Sequence, residues 1–194
     1  MLDKNNITGI ILAGGKSSRM GTDKGFLILK NKPFVQYSID ALSPLVSKII
    51  IVSNNPDYDV FMIDRIEDVI KNAGPVAGIY SALEASSTEY NLILSCDIPL
   101  ITSEILQELI DFADDTHDII QMESDGKSMP LIALYKKQVA KTFYSLLQQD
   151  ERRLRIAVNN CKVKNIVLDK HQIKHTMNVN TQTEYKTVEN EYND

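Results

Sequence analysis

The sequence predicts a three-layer α/β/α fold, in which two layers of helices enclose a mostly parallel, twisted sheet with an added β-ribbon. Two observations predict this class. Short apolar runs bounded by turn residues alternate with segments whose apolar residues recur every three or four positions, which is typical of a β-α-β chain. The first apolar run, residues 8–12, is followed by Gly14 and Gly15, a tight turn expected at the carboxyl end of a strand in such a sheet.

The first half of the chain contains three predicted strands separated by helices. The strands are residues 8–12, 48–52 and 92–96, whose apolar residues run continuously, as in strands buried on both faces. Helical spacing predicts helices over 33–42, ended by Pro44, over 76–85, opened by Gly74-Pro75, and over 103–113, capped by Thr102. Alternating strands and helices indicate parallel pairing and a Rossmann-like sheet with helices on both faces.

The second half of the chain predicts the β-ribbon and the last elements. Residues 118–122 and 130–135 flank the turn-like Asp125-Gly126-Lys127 and are expected to form a ribbon, antiparallel to the main sheet. Helices over 138–149 and 154–159 and a strand over 163–168 follow. We expect one domain over residues 1–185 and a frayed tail over 186–194, where the apolar pattern is lost.

Composition excludes several classes of protein. In 194 residues, 21 Lys and Arg oppose 26 Asp and Glu, a net charge of −5 that argues against general nucleic-acid binding. No apolar run is long enough to cross a bilayer and no signal peptide is visible, so we expect no membrane association. Cys96 and Cys161 form no CxxC pair, which favours a reducing cytoplasm, and the three histidines, His117, His171 and His175, show no metal-binding spacing.

The segment of residues 12–24, LAGGKSSRMGTDK, is the most informative for function. Its glycines allow backbone N–H groups to approach phosphate oxygens closely, while the guanidinium of Arg19 and the ammonium of Lys24 add positive charge. The segment is not a Walker A loop, because Gly9 lies one residue too far from Gly15-Lys16-Ser17, and it contains no GxGxxG pattern. The sequence therefore predicts a phosphate-binding turn of another kind.

This segment resembles the LAGGxxxRMGxDK signature of the molybdenum cofactor guanylyltransferases. The resemblance continues through residues 74–78 (GPVAG), 96–99 (CDIP) and 178–181 (NVNT), in the order of that family and over essentially the whole chain. It implies a nucleotide-diphospho-sugar-transferase-like nucleotidyltransferase domain over residues 1–185. It also implies a catalytic set of Arg19, Lys24 and Asp97.

The resemblance also implies Mg²⁺ as the cofactor. Asp97 would close the third predicted strand beside the phosphate turn, where a hard cation that prefers oxygen ligands is needed. Asn180 would offer a second oxygen, directly or through water. A loop-capping Asp and a turn-forming Asn are the structural alternatives for these two residues.

On the nucleotide side, the resemblance places guanine against the backbone of Leu12, Ala13 and Gly14, and gives Asp68 a contact with the nucleotide. A polar loop residue is the alternative for Asp68. Gly15 favours GTP over CTP, because cytidylyl-transferring relatives usually show LAAG here. The complete predicted GTP-binding set is Leu12, Ala13, Gly14, Gly15, Lys24, Asp68 and Asp97. A further polar contact after the second strand falls on Ser53 or Asn54, and the sequence does not decide between them.

On the acceptor side, the resemblance points to three residues facing the pterin, Arg153, Asn178 and Asn180. For residues 151–153, a solvated helix turn with local ion pairs is an equal alternative. The chain departs from the family pattern at Met129-Pro130, where many relatives have His-Pro, which puts the pterin side of the pocket in doubt.

The expected reaction joins GMP from GTP to the terminal phosphate of molybdenum-bound molybdopterin and releases pyrophosphate. We expect a cofactor-synthesis protein or an acceptor molybdoenzyme as a direct partner, since a labile product is best handed over without release. Two alternatives stay open. One is a related enzyme using CTP on the pterin or a nucleotide on a sugar or polyol phosphate, and the other is a non-catalytic GTP-binding module.

Overall fold

A computed structural model describes residues 2–14, 23–70 and 73–192, and within them the chain forms nine strands and six α-helices. The strands are β1 (Ile7–Leu12), β2 (Ile28–Leu29), β3 (Lys32–Pro33), β4 (Lys48–Val52), β5 (Asp64–Ile66), β6 (Tyr90–Ser95), β7 (Ile119–Ser124), β8 (Lys127–Lys136) and β9 (Val163–Val167). The helices are α1 (Phe34–Leu42), α2 (Gly74–Ala85), α3 (Ser103–Asp111), α4 (Val139–Gln148), α5 (Leu154–Asn159) and α6 (Gln182–Glu191).

Seven of these strands form one sheet in the order β5-β4-β1-β6-β8-β7-β9. β1 pairs in parallel with β4 and with β6, so that Ile10 lies opposite Ile50 on one side and Ile93 on the other. This confirms the three predicted parallel strands. The sequence analysis missed β5, which extends the sheet beyond β4, because its three residues are too short and too polar to form an apolar run.

The predicted β-ribbon is confirmed as β7 and β8. Asp125 and Gly126 join the two strands with positive φ angles of 50° and 69°, the backbone of a two-residue hairpin turn that favours glycine. β8 runs antiparallel to β6, as predicted, while β9 pairs in parallel with β7 at the edge of the sheet. The ribbon therefore continues the parallel sheet through a single inverted strand.

Helices cover both faces of the sheet, which explains the continuous apolar runs in the central strands. α1 and α3 pack on one face, and α2, α4 and α5 on the other. Successive residues of one strand enter opposite cores: Ile11 and Leu94 lie in the first, and Ile10 and Ile93 in the second. Such a strand has no solvent-facing side, so polar alternation is absent.

The helix boundaries follow the predicted signals. α1 ends at Leu42, two residues before Pro44, and α3 begins after Thr102, whose hydroxyl oxygen accepts from the N–H of Ile105 at 3.5 Å. α2 begins at Gly74 and Pro75, where proline suits the first turn because the N–H it lacks has no partner within the helix.

The end of the chain differs from the prediction of a frayed tail over residues 186–194. Helix α6 continues through residues 182–191, and Val188 is fully buried in a small core with Phe34 and Val179. The sequence analysis missed this helix because it buries few apolar residues and its other faces are polar. Residues 193 and 194 lie outside the described residues.

Residues 24–33 form a short segment that the sequence did not predict. A turn of 3₁₀ helix over Lys24–Phe26 leads into the β2-β3 hairpin, and Tyr185 of α6 donates its hydroxyl to the carbonyl of Ile28 at 2.5 Å. The last helix is thereby attached to the segment that follows the glycine-rich turn. In the parts of the chain that the structure describes, none of the helices combines the length and apolar character of a membrane span.

Candidate active site

The carboxyl ends of β1, β4 and β6 meet at one edge of the sheet. The N–H of Ala13 donates to the carbonyl of Val52 at 3.0 Å, and the N–H of Cys96 donates to the carbonyl of Leu12 at 3.2 Å, so the three strand ends are joined. Gly14 follows with a φ of +129°, a conformation that side-chain-bearing residues rarely adopt. A Cβ there would lie 3.5 Å from the hydroxyl of Ser53, so the backbone angle rather than lack of space requires glycine.

Three predicted site residues meet at this edge. The ammonium Nζ of Lys24 donates to Oδ2 of Asp97 at 3.1 Å and also to Oδ1 of Asn180. The side chains of Lys24 and Asp97 are 22% and 15% exposed, so the ion pair is largely shielded from bulk water but still open on one side. The hydroxyl of Ser95 donates to the other carboxylate oxygen of Asp97, Oδ1, at 2.6 Å. We call Lys24, Asp97 and Asn180 the edge cluster.

Asn180 is brought to the edge cluster by the segment before α6. The N–H of Val179 donates to the carbonyl of Asp97 at 2.9 Å, which attaches this segment to the end of β6. The carboxylate of Glu184 then accepts from the N–H of Asn180 at 2.7 Å and from the hydroxyl of Thr181 at 3.1 Å. The same Thr181 hydroxyl accepts from the N–H of Glu184 at 3.2 Å, so the start of α6 is closed by reciprocal bonds.

Asp68 lies on the β5 side of the edge. Its Oδ2 accepts from Nδ2 of Asn54 at 3.5 Å, and its N–H donates to Oδ1 of Asn54 at 3.1 Å. Gly78 of α2 leaves room for the carboxylate, since a Cβ there would lie 3.3 Å from Oδ1 of Asp68 and 3.4 Å from Leu12. Burial raises the pKa of Asp68, and the hydrogen bond from Asn54 opposes part of that rise.

Arg153 lies at the start of α5, in the loop after α4. Its guanidinium donates twice to the carboxylate of Glu151, at 2.8 Å and 2.5 Å, and these bonds lower the pKa of Glu151 to about 2. The carbonyl of Arg152 lies 3.8 Å from the position of a Cβ on Gly74, so the loop flanks the start of α2. The Arg153 contacts are the local ion pairs that the sequence gave as an alternative.

The structure thus brings some predicted site residues together and leaves others apart. The edge cluster joins three of them, and Leu12, Ala13 and Gly14 lie at the neighbouring strand end. Asp68 lies next to Leu12 through Gly78. Asn178 is exposed one residue before Val179, and the side-chain bonds of Arg153 are with Glu151 rather than with the edge cluster. Gly15 and Arg19 lie outside the described residues.

The sequence analysis missed four residues that support the edge cluster. Ser95 and Glu184 contact Asp97 and Asn180 directly, while Asp23 and the buried Tyr58 hold the turn at Lys24. Glu184 had a readable signal, because Thr181 followed three positions later by Glu is a capping box. Ser95 and Tyr58 had none, since their roles depend on contacts across the fold.

Cys96 precedes Asp97 but is not a reactive thiol. It is fully buried, and burial raises the pKa of Cys96 to about 12. A thiol that stays protonated is neither a good nucleophile nor a metal ligand. The chemistry of this edge therefore belongs to oxygen and nitrogen groups.

A cavity of about 430 Å³ lies between α1, the start of α3 and α6, and its lining consists of residues other than the edge cluster. Its walls carry the ion pairs Lys32–Asp40, at 2.6 Å, and Lys174–Glu191, at 3.9 Å. The charges on its walls are of both signs, so the cavity shows no preference for an anionic ligand such as a nucleotide.

Comparison with known proteins agrees with this geometry. The family model for the MobA-like NTP transferase domain matches residues 9–162. A Flavobacterium johnsoniae protein named "Probable molybdenum cofactor guanylyltransferase" is 36% identical over 178 residues, covering 92% of this chain and 94% of the relative. A Bacillus cytotoxicus protein of the same name is 30% identical over 188 residues, covering 93% and 94%.

Two solved structures show the same fold. Molybdopterin-guanine dinucleotide biosynthesis protein A from Archaeoglobus fulgidus superposes with a TM-score of 0.82 at 22% identity, covering 96% of this chain and 98% of that one. The 4-diphosphocytidyl-2C-methyl-D-erythritol synthase from Anaerococcus prevotii gives a TM-score of 0.72 at 13% identity, covering 99% and 100%. With the family model and the relatives matched over most of its length, this chain belongs to the MobA-like NTP transferase family.

Proposed function

We propose that this protein transfers GMP from GTP to the terminal phosphate of molybdenum-bound molybdopterin and releases pyrophosphate. The observation that carries the proposal is the edge cluster, which holds a cation and two oxygen ligands where the parallel strands end. Ligands of open α/β sheets bind at this edge. The two relatives named as molybdenum cofactor guanylyltransferases, which match over nine-tenths of the chain, support this choice of reaction.

In the proposed reaction, an oxygen of the pterin phosphate forms a bond to the α-phosphorus of GTP while the bond from that phosphorus to pyrophosphate breaks. The attacking phosphate monoester is already anionic near neutral pH, so the protein mainly has to position the two phosphates and neutralise charge. Lys24 supplies an ammonium at the edge. Arg19, which lies outside the described residues, is the proposed second cation.

The donor set fits Mg²⁺. Asp97 offers a carboxylate and Asn180 an amide carbonyl, and both already converge on the ammonium of Lys24. Within the described residues no group of three or more His, Cys, Asp or Glu could hold a metal, which agrees with an ion that keeps several waters and binds substrate phosphates. When bound there, Mg²⁺ would supply positive charge to the phosphate oxygens.

For the nucleotide, we propose the backbone of Leu12, Ala13 and Gly14 as the surface that meets guanine. The N–H of Ala13 and the carbonyl of Leu12 are engaged within the sheet, so the groups just beyond them are the candidates for the base. Asp68 is the proposed carboxylate partner, because guanine presents N–H donors along one edge. The preference for GTP over CTP rests on Gly15 and stays a prediction.

For the acceptor, Asn180 at the edge and the exposed Asn178 and Arg153 remain the proposed pterin-side residues. Arg153 can serve only by exchanging its bidentate bonds to Glu151 for bonds to an anionic ligand. The effect of Met129-Pro130, where relatives have His-Pro, is also a prediction to test. A direct handover to a molybdoenzyme or a cofactor-synthesis protein is proposed from the lability of the product.

We also propose that the protein acts in the cytoplasm. Both of its cysteines, Cys96 and Cys161, are free thiols in the structure, as expected in a reducing compartment. Fractionation of the source cells tests this location.

The test of the proposed function is pyrophosphate release with Mg²⁺ and molybdenum-loaded pterin, measured in parallel with GTP, CTP, ATP and UTP. We expect release with GTP alone, dependent on the pterin. Asp97→Ala should lower kcat by orders of magnitude, and Lys24→Ala should lower both kcat and GTP affinity. The matched controls are Lys48→Ala and Asp64→Ala, which break an exposed ion pair of 2.6 Å at the opposite edge of the sheet and should leave turnover unchanged.

Each other outcome selects a different function. A preference for CTP would contradict the role given to Gly15. Turnover on sugar or polyol phosphates would indicate a related nucleotidyltransferase. Binding of GTP without pyrophosphate release, whatever acceptor is offered, would indicate a non-catalytic nucleotide-binding module.

A further inference from the structure

The hydroxyl of Tyr58 is a buried polar group that the proposed reaction does not use. Tyr58 lies in a 3₁₀ turn, Pro56–Phe61, that follows β4, and its side chain is fully buried. Its hydroxyl donates to Oδ1 of Asp23 at 2.6 Å. Asp23 is the residue before Lys24, so a buried tyrosine is bonded to the backbone neighbour of a cluster residue 35 positions away.

Asp23 collects hydrogen bonds from three sides. Besides the Tyr58 hydroxyl, its carboxylate accepts from the N–H of Gly25 at 3.1 Å and from Nδ2 of Asn55 at 3.4 Å. The first of these closes the turn that contains Lys24, and the other two attach that turn to the segment after β4. The backbone of Lys24 is therefore fixed on both sides through one carboxylate.

Gly25 shows how closely this turn lies on Tyr58. A Cβ on Gly25 would overlap the Tyr58 hydroxyl and lie 2.8 Å from Cζ of the ring, so glycine is required for the approach. Phe26 then packs on the same ring, with the centroids 4.6 Å apart. The ring accounts for the packing, and the hydroxyl accounts for the bond to Asp23.

We propose that Tyr58 is a positioning residue, which holds Lys24 in register with Asp97 and Asn180 by bonding to Asp23. The inference rests on the proposed function, because it takes Lys24 as a ligand of the nucleotide phosphates. An ammonium on a flexible four-carbon stem loses less freedom on binding phosphate when its backbone is already fixed. Removing the hydroxyl while keeping the ring loosens the turn without opening a cavity.

The direction of the bond is set by burial. Burial raises the pKa of Tyr58 far above its ordinary value, and the Asp23 carboxylate adds to the rise. The phenol therefore stays protonated at every pH at which the protein is handled, and it acts as a donor to the carboxylate. A donor to an ionised acceptor makes one of the stronger hydrogen bonds in a protein.

The test compares Tyr58→Phe with Tyr135→Phe in the full chain. Tyr135 is the matched control, because it is also fully buried and its hydroxyl donates to one acceptor, the carbonyl of Pro130, at 2.9 Å. GTP binding in Mg²⁺ is measured by titration calorimetry, thermal unfolding of each variant is measured separately, and kcat and KM are determined with the pterin. We expect roughly tenfold weaker GTP binding and a matching rise in KM for Tyr58→Phe, from the loss of a charge-assisted bond. We expect wild-type GTP affinity for Tyr135→Phe.

A merely structural role predicts that both variants lose thermal stability and that both keep wild-type GTP affinity, and this result overturns the proposal. Asp23→Asn is the second variant, for use if Tyr58→Phe does not fold; it retains an acceptor for Tyr58 but places an NH₂ group against the Asn55 donor. We expect it to weaken GTP binding as well, and wild-type affinity in it also overturns the proposal.

Lys24→Ala separates this proposal from the proposed function. If Lys24→Ala weakens GTP binding and Tyr58→Phe does not, the positioning role fails and the proposed function stands. If Lys24→Ala binds GTP as tightly as the wild type, or the wild type binds none, the nucleotide role of Lys24 fails and the positioning role fails with it.

Discussion

At the scale of single residues, the site is built from charges that satisfy one another. The ammonium of Lys24 neutralises Asp97 and also donates to Asn180, so neither Lys24 nor Asp97 is buried without a partner. Asp97 accepts a further bond from Ser95, which fixes the orientation of its carboxylate. Binding of an anionic nucleotide can exchange these contacts for new ones without exposing a bare charge.

The pH dependence of nucleotide binding should report on Asp68. Burial raises the pKa of this carboxyl above 3.8, and only its ionised form accepts the N–H donors of guanine. GTP affinity should therefore be complete above the raised pKa and fall as the pH is lowered through it. We expect this acid limb in titrations of the wild type and its absence in Asp68→Asn, measured in the same buffers so that the titration of GTP itself cancels.

Two further results bear on this prediction. Asp68→Asn should keep or increase thermal stability at neutral pH, because it removes a partly buried carboxylate whose ionisation is disfavoured. Identical pH profiles for the two proteins would remove Asp68 from the nucleotide site.

At the scale of elements, the α6 segment links two parts of the site. Its N-terminal capping bonds involve Asn180, and its Tyr185 ring stacks on Phe34, with the centroids 6.2 Å apart. Phe34 begins α1, directly after the hairpin that follows Lys24. A helix with few buried residues thus contacts the segments that carry both Lys24 and Asn180.

Paired cap variants should separate stability from activity. Thr181→Ala and Thr102→Ala each remove an N-cap hydroxyl, from α6 and α3 respectively, and each should cost about 1 kcal/mol of unfolding free energy in urea denaturation. Only Thr181→Ala should also lower turnover, by several-fold, because Asn180 is bonded through the same cap. Equal activity in the two variants would show that Asn180 is placed independently of the α6 cap.

The elements also show what the sequence could predict. The buried strands β1, β4 and β6 were predicted correctly, because a strand covered on both faces must be apolar at every position. β5 and the β2-β3 hairpin were missed, since two or three residues are too few to establish a period. α6 was missed because most of its surface is polar and its burial comes from Val188 and the adjoining Val179.

The candidate site divides in the same way. Lys24, Asp97 and Asn180 were predicted from motifs and positions at strand ends, and the structure places them together. Ser95, Asp23 and Tyr58 were not predicted as site residues, because their contribution is a hydrogen bond between segments that only the folded chain brings together. Residue types alone carry no signal for such a bond.

At the scale of the whole molecule, the sheet separates two cores. One contains Ile105 of α3 and the other Ile79 of α2, and both side chains are buried. Each core is closed by its own layer of helices, with the sheet between them. Changes of volume in one core should therefore have little effect on packing in the other.

A double-mutant cycle tests this independence. Ile105→Val and Ile79→Val each remove one buried methylene, and each should cost about 0.5–1.5 kcal/mol of unfolding free energy. In urea denaturation, the double variant should lose the sum of the two single losses to within about 0.5 kcal/mol. A larger coupling energy would mean that the sheet transmits strain between the two layers.

The bond between Lys24 and Asn180 joins positions 156 residues apart and has a consequence for synthesis. At roughly 5–20 residues per second, on the order of ten to thirty seconds separate the appearance of the two residues on the ribosome. A nascent chain can therefore form the parallel strands and the glycine-rich turn long before it can complete the edge cluster. The growing polypeptide cannot assemble its full set of phosphate and metal ligands until almost all of the sequence described here has been made.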